Sequence, residues 1–458
     1  MKIIICGAGQ VGRGIAGRLA AEDNEVTVID TSPELVRAIS DDLDVQGIIG
    51  HGAHPDILEQ AGAEEADMVI AVTFTDEVNM MACEVAHAIF NTTTKIARVR
   101  DQSYLEPRYS DLFSRENTAI DVVISPEIAV GEMVLRRLAL PGAAEAVYFA
   151  GQKVIALGIQ LGEDCPILDT PLSQLAELFP DLSAVVVGIQ RKGEVIIPKT
   201  SDQMQAGDLV FVIASSEAAA RTLVLFGHEE EPPRHIILGG GGNIGAYVAR
   251  KLEETTPEAH VRIIENDRER AEAIANDLQK AIILHGSALD SEILREADVE
   301  RADVFIALTN DDKVNLLSSL LARQEGAAHT MSLISTLEAS PLAGPLGIDS
   351  WIDPRAVTVA EILQHVRRGR IRGVYPVLDG AAEIVEAEAL ETSPVIGKKL
   401  RDADIPDGLR IGAIVRGDEV IMATGDAEIR PGDSVVLFAK AGAANEIQRL
   451  FRVALEYF

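Results

Sequence analysis

The stretch KIIICGAGQVGRGIAGRLA, residues 2–20, decides the fold. A short apolar run enters a glycine motif at once, and a helix-spaced apolar pattern follows: the strand, turn and helix that open a Rossmann unit. Gly7, Gly9 and Gly12 fall at the GxGxxG spacing, with Ala8, Gln10 and Val11 between them. In that motif the first glycine permits the tight turn, the second lets backbone approach a pyrophosphate, and the third allows close helix–strand packing, with the helix N-terminus facing the anion. Asp30 ends the next predicted strand about 20 residues on, where a carboxylate can accept from both ribose hydroxyls. It repels a 2′-phosphate, so the residues favour an NAD-like or adenosine nucleotide over NADP.

The same pattern returns about 235 residues later, a duplication of whole domains rather than a solenoid. HIILGGGGNIGAYVARKL (235–252) repeats the opening stretch, with Gly240, Gly242 and Gly245 at the motif positions and Asn243 and Ile244 inside it. EVTVIDTSPELVRAI (25–39) returns as VRIIENDRERAEAI (261–274), which places Glu265 opposite Asp30. HGAHPDILEQAGAEEADMVIAVTFTDEVNM (51–80) matches HGSALDSEILREADVERADVFIALTNDDKVNL (285–316), with Asp67/Asp303, Thr73/Thr309, Asp76/Asp312 and Asn79/Asn315 in step. Within each half, short apolar runs alternate with helical spacing, which predicts a doubly wound parallel sheet. In the first half, strands are expected at 2–6, 25–29, 46–49, 68–72, 95–99 and 121–124.

The texture then changes. VISPEIAVGEMVLRRL (123–138) and WIDPRAVTVAEILQHV (351–366) each place a proline at the start of a long amphipathic helix that leads away from the sheet. After each come alternating strands with Gly-Asp turns, AVVVGIQRKGEVIIPKTSDQMQAGDLVFVIAS (184–215) and RIGAIVRGDEVIMATGDAEIRPGDSVVLFAKA (410–441), again matching one another. GHEEEPPR (227–234) is charged, proline-bearing and aperiodic, the texture of a linker. The expected order is a Rossmann domain over 1–125, a bridging helix and small α+β domain over 126–226, the linker at 227–234, a second Rossmann domain over 235–353, and a second helix and small domain over 354–458.

Composition narrows the function. The 458 residues carry 41 basic and 72 acidic side chains, a net charge of −31. Such a surface repels nucleic acid and anionic lipid alike. The three cysteines, Cys6, Cys83 and Cys165, are widely spaced and form no CxxC pair, so neither a disulfide framework nor a zinc site is implied. The start shows no cleavage pattern and no apolar stretch reaches 18 residues, so the expectation is a soluble cytoplasmic protein.

The halves differ where charge matters. KIARVRD (95–101) presents Arg98 and Arg100 two apart on one strand face, able to pair with phosphates or to make interdomain salt bridges. The aligned TMSLIST (330–336) has no basic residue, so stronger phosphate sensing is expected in the first half. Thr73 and Thr309 lie at the carboxyl ends of strands, the nucleotide-facing edge. Asn79 and Asn315 are expected to cap helices. His51 and His285 end the third strand of each half, near an adenine; His51 and His54 lack the companions a metal site needs. A dehydrogenase would require a positioned proton donor in a substrate domain, and the small domains offer none. No P-loop, GxSxG or HExxH is present. An NAD-dependent oxidoreductase remains the alternative reading.

Taken together, GAGQVG, the strand ending in Asp30, HGAHPDILEQAGAEEAD, DEVNMMAC and IARVRDQSYL resemble the TrkA family of cytoplasmic regulators of Trk potassium uptake, over essentially the whole chain. The resemblance implies two tandem RCK (KTN) units, each an RCK-N Rossmann domain followed by an RCK-C domain, in a homo-oligomeric ring, a tetramer, beneath a membrane transporter subunit. It implies NAD or NADH as ligand and, in relatives, ATP or ADP. By carry-over the first site comprises Gly7 to Val11, Asp30, Thr73, Phe74 and Arg98, and the second Gly240 to Ile244, Glu265, Thr309 and Asn310.

Overall fold

The computed structural model describes residues 1–21, 24–114, 117–179, 181–336, 340–366 and 371–451. In the first half, β1 (Lys2–Cys6), α1 (Gln10–Ala20), β2 (Glu25–Asp30), α2 (Pro33–Asp42), β3 (Gln46–Ile49), α3 (Pro55–Gln60), β4 (Met68–Ala71), α4 (Asp76–Ala88), β5 (Thr94–Arg98) and β6 (Val122–Ile124) alternate as expected. The sheet is parallel, in the order β3-β2-β1-β4-β5-β6. Its central strands are buried on both faces, which is why KIIIC and MVIA read as unbroken apolar runs rather than alternating ones. Helix starts follow local chemistry: at α2, Ser32 accepts from the Leu35 amide and Pro33 takes the first helical position.

After β6 comes α5 (Pro126–Ala139), then β7 (Ala143–Phe149), β8 (Val154–Gln160), α6 (Leu172–Leu178), β9 (Ala184–Arg191), β10 (Glu194–Ile196), β11 (Leu209–Ser215) and α7 (Ala219–Leu225). The second half repeats the scheme. It runs through β12 (His235–Gly239), α8 (Asn243–Thr255), β13 (His260–Glu265), α9 (Arg268–Asp277), β14 (Ile282–His285), α10 (Ser291–Glu296), β15 (Val304–Ala307), α11 (Asp312–Gln324), β16 (His329–Leu333), α12 (Ser340–Ala343) and β17 (Ser350–Ile352). There follow α13 (Pro354–Val366), β18 (Ile371–Val377), β19 (Ala382–Glu388), β20 (Leu409–Arg416), β21 (Glu419–Met422), β22 (Ser434–Lys440) and α14 (Ala444–Phe451). The second parallel sheet, β14-β13-β12-β15-β16-β17, is the counterpart of the first.

The chain gathers into two compact units, one from 1–135 with 233–366 and one from 136–232 with 367–458. In the first unit the two Rossmann sheets exchange helices. The α13 helix packs on α1 of the opposite half, and its Ile362, Leu363 and Val366 enter the same core cluster as Ile3, Ile15, Leu19 and Ile70. Gly14 on α1 makes room for this: a Cβ there would lie 3.0 Å from the Val359 methyl. The matching contact is built with the sizes reversed. On α8 the equivalent residue is Tyr247, whose ring rests on Gly131 of α5 and whose hydroxyl donates to Glu132 Oε1 at 2.5 Å.

In the second unit, the antiparallel sheets β10-β9-β11-β8-β7 and β18-β19-β22-β20-β21 share one apolar cluster across their facing sides. Phe211 and Phe438 meet at 5.3 Å between ring centroids. Each small domain holds a matching ion pair between a half-buried arginine and a buried aspartate, Arg191 with Asp208 and Arg416 with Asp433. All three cysteines are buried, and burial pushes the Cys6 thiol up to about 12. Among the described residues no helix is long and apolar enough to cross a membrane.

Candidate functional site

Both glycine loops are shaped by the same two backbone demands. Gly7 and Gly240 adopt φ of +116° and +117°, a left-handed region that side-chain-bearing residues avoid. A Cβ on Gly12 would sit 1.8 Å from the Gly7 carbonyl oxygen, and one on Gly245 2.1 Å from that of Gly240. These glycines serve the fold. Gly9 and Gly242 differ, because a Cβ on either would meet nothing within 4 Å. The space in front of α1 and α8 is open there, and the N-terminal amides of both helices face it.

That space is a single cleft of about 960 Å³ that the two halves share, at the upper end of small-molecule site volumes. From the first half, Gly7, Gly9, Gln10, Val11, Asp30, Thr73, Phe74 and Arg98 line it. From the second come Gly242, Asn243, Ile244, Thr309 and Asn310. Arg100 and His51, also singled out from sequence, line it too, while the remaining residues of the two expected glycine-loop sites lie outside the lining. Ala8 and Gly12 are buried behind the first loop, and Gly240, Gly245 and Glu265 do not reach the cleft. Among the lining residues that sequence does not mark as site residues are Leu35, Glu127, Arg355 and Thr358.

Each carboxylate at the end of the second strand braces its own loop. Asp30 accepts from the Ala8 amide at 2.7 Å and from Ser32 at 2.9 Å; Glu265 accepts from Gly241 at 2.7 Å and from Asp267 at 2.8 Å. Asp30 still faces the cleft, alongside His51, whose ring stacks on His54. In the second half, Arg270 stands where the first has Leu35. Its Nε donates to the Gly241 carbonyl at 3.0 Å and its Nη2 to Asn243 Oδ1, so it bridges the residues on either side of Gly242. Sequence alignment of the halves carried that signal, in a long cation replacing an apolar residue five positions after the carboxylate.

The threonine–asparagine pairs are the same in both halves, and their role differs from the expected helix capping. Asn79 sits inside α4, fully buried, because the fourth residue of this helix points back toward the sheet. Its Oδ1 accepts from the Thr73 amide and hydroxyl, and its Nδ2 donates to the Thr73 and Arg98 carbonyls. Asn315 does the same with Thr309 and Leu333. Asp76 accepts from the Arg100 and Asp101 amides, and Asp312 from those of Ser335 and Thr336. Two polar clamps per half therefore fix the loops on which Thr73 and Thr309 face the cleft.

Charge is concentrated in the first half's wall. Arg98 Nη2 donates to the Thr73 carbonyl at 2.9 Å, while its buried Nε has no protein partner. Burial, and then the neighbouring Arg100, holds the Arg98 guanidinium below its ordinary value, yet arginine stays cationic. Arg100 lies over the Phe74 ring and donates to Glu127 Oε1 at 3.0 Å, a pairing within the first half. Glu127 Oε2 is buried without a partner. Open glycine cradles, a ribose-height carboxylate and a partly unsatisfied guanidinium fit an anionic nucleotide.

Fold and cleft together define a class: tandem Rossmann units whose glycine loops open on one shared site, with paired antiparallel domains. The family models for the TrkA-N domain (residues 3–126 and 236–354) and the TrkA-C domain (157–227 and 384–452) match this chain. It is 54% identical over 458 residues to the Trk system potassium uptake protein TrkA of Azorhizobium caulinodans, with both chains covered in full, and 40% identical over 462 residues, again in full, to that of Halomonas elongata. The solved GsuK channel bound to NAD shares the fold with a TM-score of 0.61 at 15% identity, covering 98% of this chain and 78% of that one. The chain belongs to the TrkA family.

Proposed function

We propose that this chain is a nucleotide-sensing regulatory subunit that gates a Trk-type potassium transporter and so controls potassium uptake. The observation that carries the reading is the shared cleft: one ligand held there touches both halves, and its affinity then depends on how the halves are set. A protein of net charge −31 repels nucleotides at a distance, and the arginines lining the cleft supply the local attraction an anion needs. We assign the ligand as NAD or NADH, with ATP or ADP as further ligands of the same site. Gly9, Gln10, Val11, Asp30, Thr73, Phe74 and Arg98 would hold it, with Gly242, Asn243, Ile244, Thr309 and Asn310 opposite.

The names of the relatives support a membrane transporter as partner, and the reading is of a non-enzymatic, cytoplasmic subunit, peripheral at the inner face of the membrane and assembled as a tetramer. The division into Rossmann and small domains at 125/126, 226/227, 234/235 and 353/354 belongs to the same proposal; its last stretch, 452–458, lies outside the described residues. Calorimetric titration of the full chain with NADH, NAD, ATP and ADP, paired with potassium uptake in cells whose own homologue is deleted, tests it. Binding of at least one nucleotide and restored uptake are expected. A chain that binds none of the four, or binds but leaves uptake unchanged, is not this regulator.

A further inference from the structure

The two exchanged helices carry opposite charges at matching positions. Each begins with a proline at the cleft, Pro126 on α5 and Pro354 on α13, and the next residue is Glu127 on the first and Arg355 on the second. Arg355 is set by its own helix start: Nε and Nη2 donate to the two Asp353 carboxylate oxygens at 3.2 and 3.3 Å. Its remaining nitrogen, Nη1, donates to Gln10 Oε1 at 3.0 Å. Gln10 is the first residue of α1, so a guanidinium of the second half stands at the mouth of the first half's glycine loop. Its side chain is 19% exposed and already held in place, so little rotamer freedom is left to lose on binding.

Among the described residues, the cations that the first half itself brings to the cleft lining are Arg98 and Arg100. Arg13 on α1 turns away to Asp42 and the Ala38 carbonyl, and Arg98 and Arg100 approach from the β5 wall. The residue at the matching position of α5, Glu127, lines the same cleft as a carboxylate and is paired with Arg100.

We infer that Arg355 recognises the terminal phosphoryl group of a nucleoside di- or triphosphate bound at the first glycine loop, and that this residue, from the other half, lets the first loop distinguish such a ligand from a dinucleotide. The inference rests on the proposal that the first loop binds nucleotide. A terminal phosphate carries more charge and more open oxygens than the interior diester phosphates of a dinucleotide, and a guanidinium rewards both. On binding, Gln10 gives up Nη1 to a phosphate oxygen while Asp353 keeps the guanidinium oriented.

The experiment is calorimetry on full-length wild type, Arg355→Gln and Arg355→Lys with ATP, ADP and NADH, alongside the melting temperature of each ligand-free protein. Arg355→Gln is expected to weaken ATP roughly 10- to 100-fold and NADH by less than about threefold, with Arg355→Lys in between for ATP. Equal weakening of ATP and NADH, or ATP affinity unchanged in Arg355→Gln, overturns the inference and leaves nucleotide binding standing. Affinity lost in both variants in step with a falling melting temperature assigns Arg355 a structural role and overturns it too. Wild type that binds none of the three ligands removes the nucleotide reading and this inference with it.

Discussion

The first half meets the cleft with Gly7, Gly9, Gln10 and Val11 of its glycine loop, with Asp30 and with the Arg98 wall, whereas the second glycine loop offers only the edge from Gly242 to Ile244. Their backbones are nearly the same, down to φ at Gly7 and Gly240. The difference lies in side chains: Arg270 crosses the second loop where Leu35 leaves the first open, and Arg355 reaches the first loop where Glu127 stands at the matching place. A duplicated frame thus retains the geometry of two sites while its chemistry favours one. Charge placement, more than fold, separates the halves.

The frame itself should fail equally in both. Gly12→Ala and Gly245→Ala each drive a Cβ into a backbone carbonyl, and each is expected to cost more than about 4 kcal/mol, read by denaturant unfolding. A severe loss in one variant and a mild one in the other would show that the loops are not equivalent even as structure. Asn79→Ala and Asn315→Ala, each stranding buried donors and acceptors, are expected to cost about 2–3 kcal/mol apiece by the same measurement.

The chemistry should fail unequally. Asp30→Ala is expected to weaken nucleotide binding about tenfold, Glu265→Ala by less than about threefold, because only Asp30 reaches the cleft. Equal effects in calorimetry would give the second loop a site of its own. The smallest effect concerns pH. Burial would push the Glu253 carboxyl up, but the amides of Ala281, Lys280 and Gln279 together hold it below its ordinary value. A carboxyl depressed in the folded state adds stability that is present above about pH 4.3 and lost as pH falls through its lower folded value. Glu253→Gln should therefore flatten the acid side of the stability profile slightly, and an unchanged acid limb would assign those amides no such role. The first half has Ala20 at the matching position, so no corresponding loss arises there.

Much of this was legible in the residues. The apolar runs at 2–6, 46–49 and 68–72 and the glycine spacing place the parallel strands within a residue or so, since strands buried on both faces and φ-constrained turns leave local marks. The duplication shows directly in the repeated motifs. What periodicity does not carry is which surface an amphipathic stripe covers. α5 and α13 read as helices leading away from their sheets, and their docking on the opposite half depends on the pairs Gly14/Val359 and Tyr247/Gly131, whose members lie over 100 residues apart. The single cleft follows from that docking and was hidden with it. Asn79 and Asn315 looked like caps because asparagine favours helix starts; only the fold shows that the position is the inward-facing fourth residue. Arg355 carries no mark in sequence, because its approach to Gln10 joins residues 345 positions apart.

The exchanged helices also bear on how the chain is made. The stripe that completes the first Rossmann core, Ile362, Leu363 and Val366, is encoded well over 300 residues after β1. At translation speeds of about 5–20 residues per second, the first half waits on the order of ten to fifty seconds after leaving the ribosome for the segment that covers it. During that interval the side of α1 that α13 covers is exposed, and nascent chains stalled before residue 354 should be the forms of this protein that most need a chaperone.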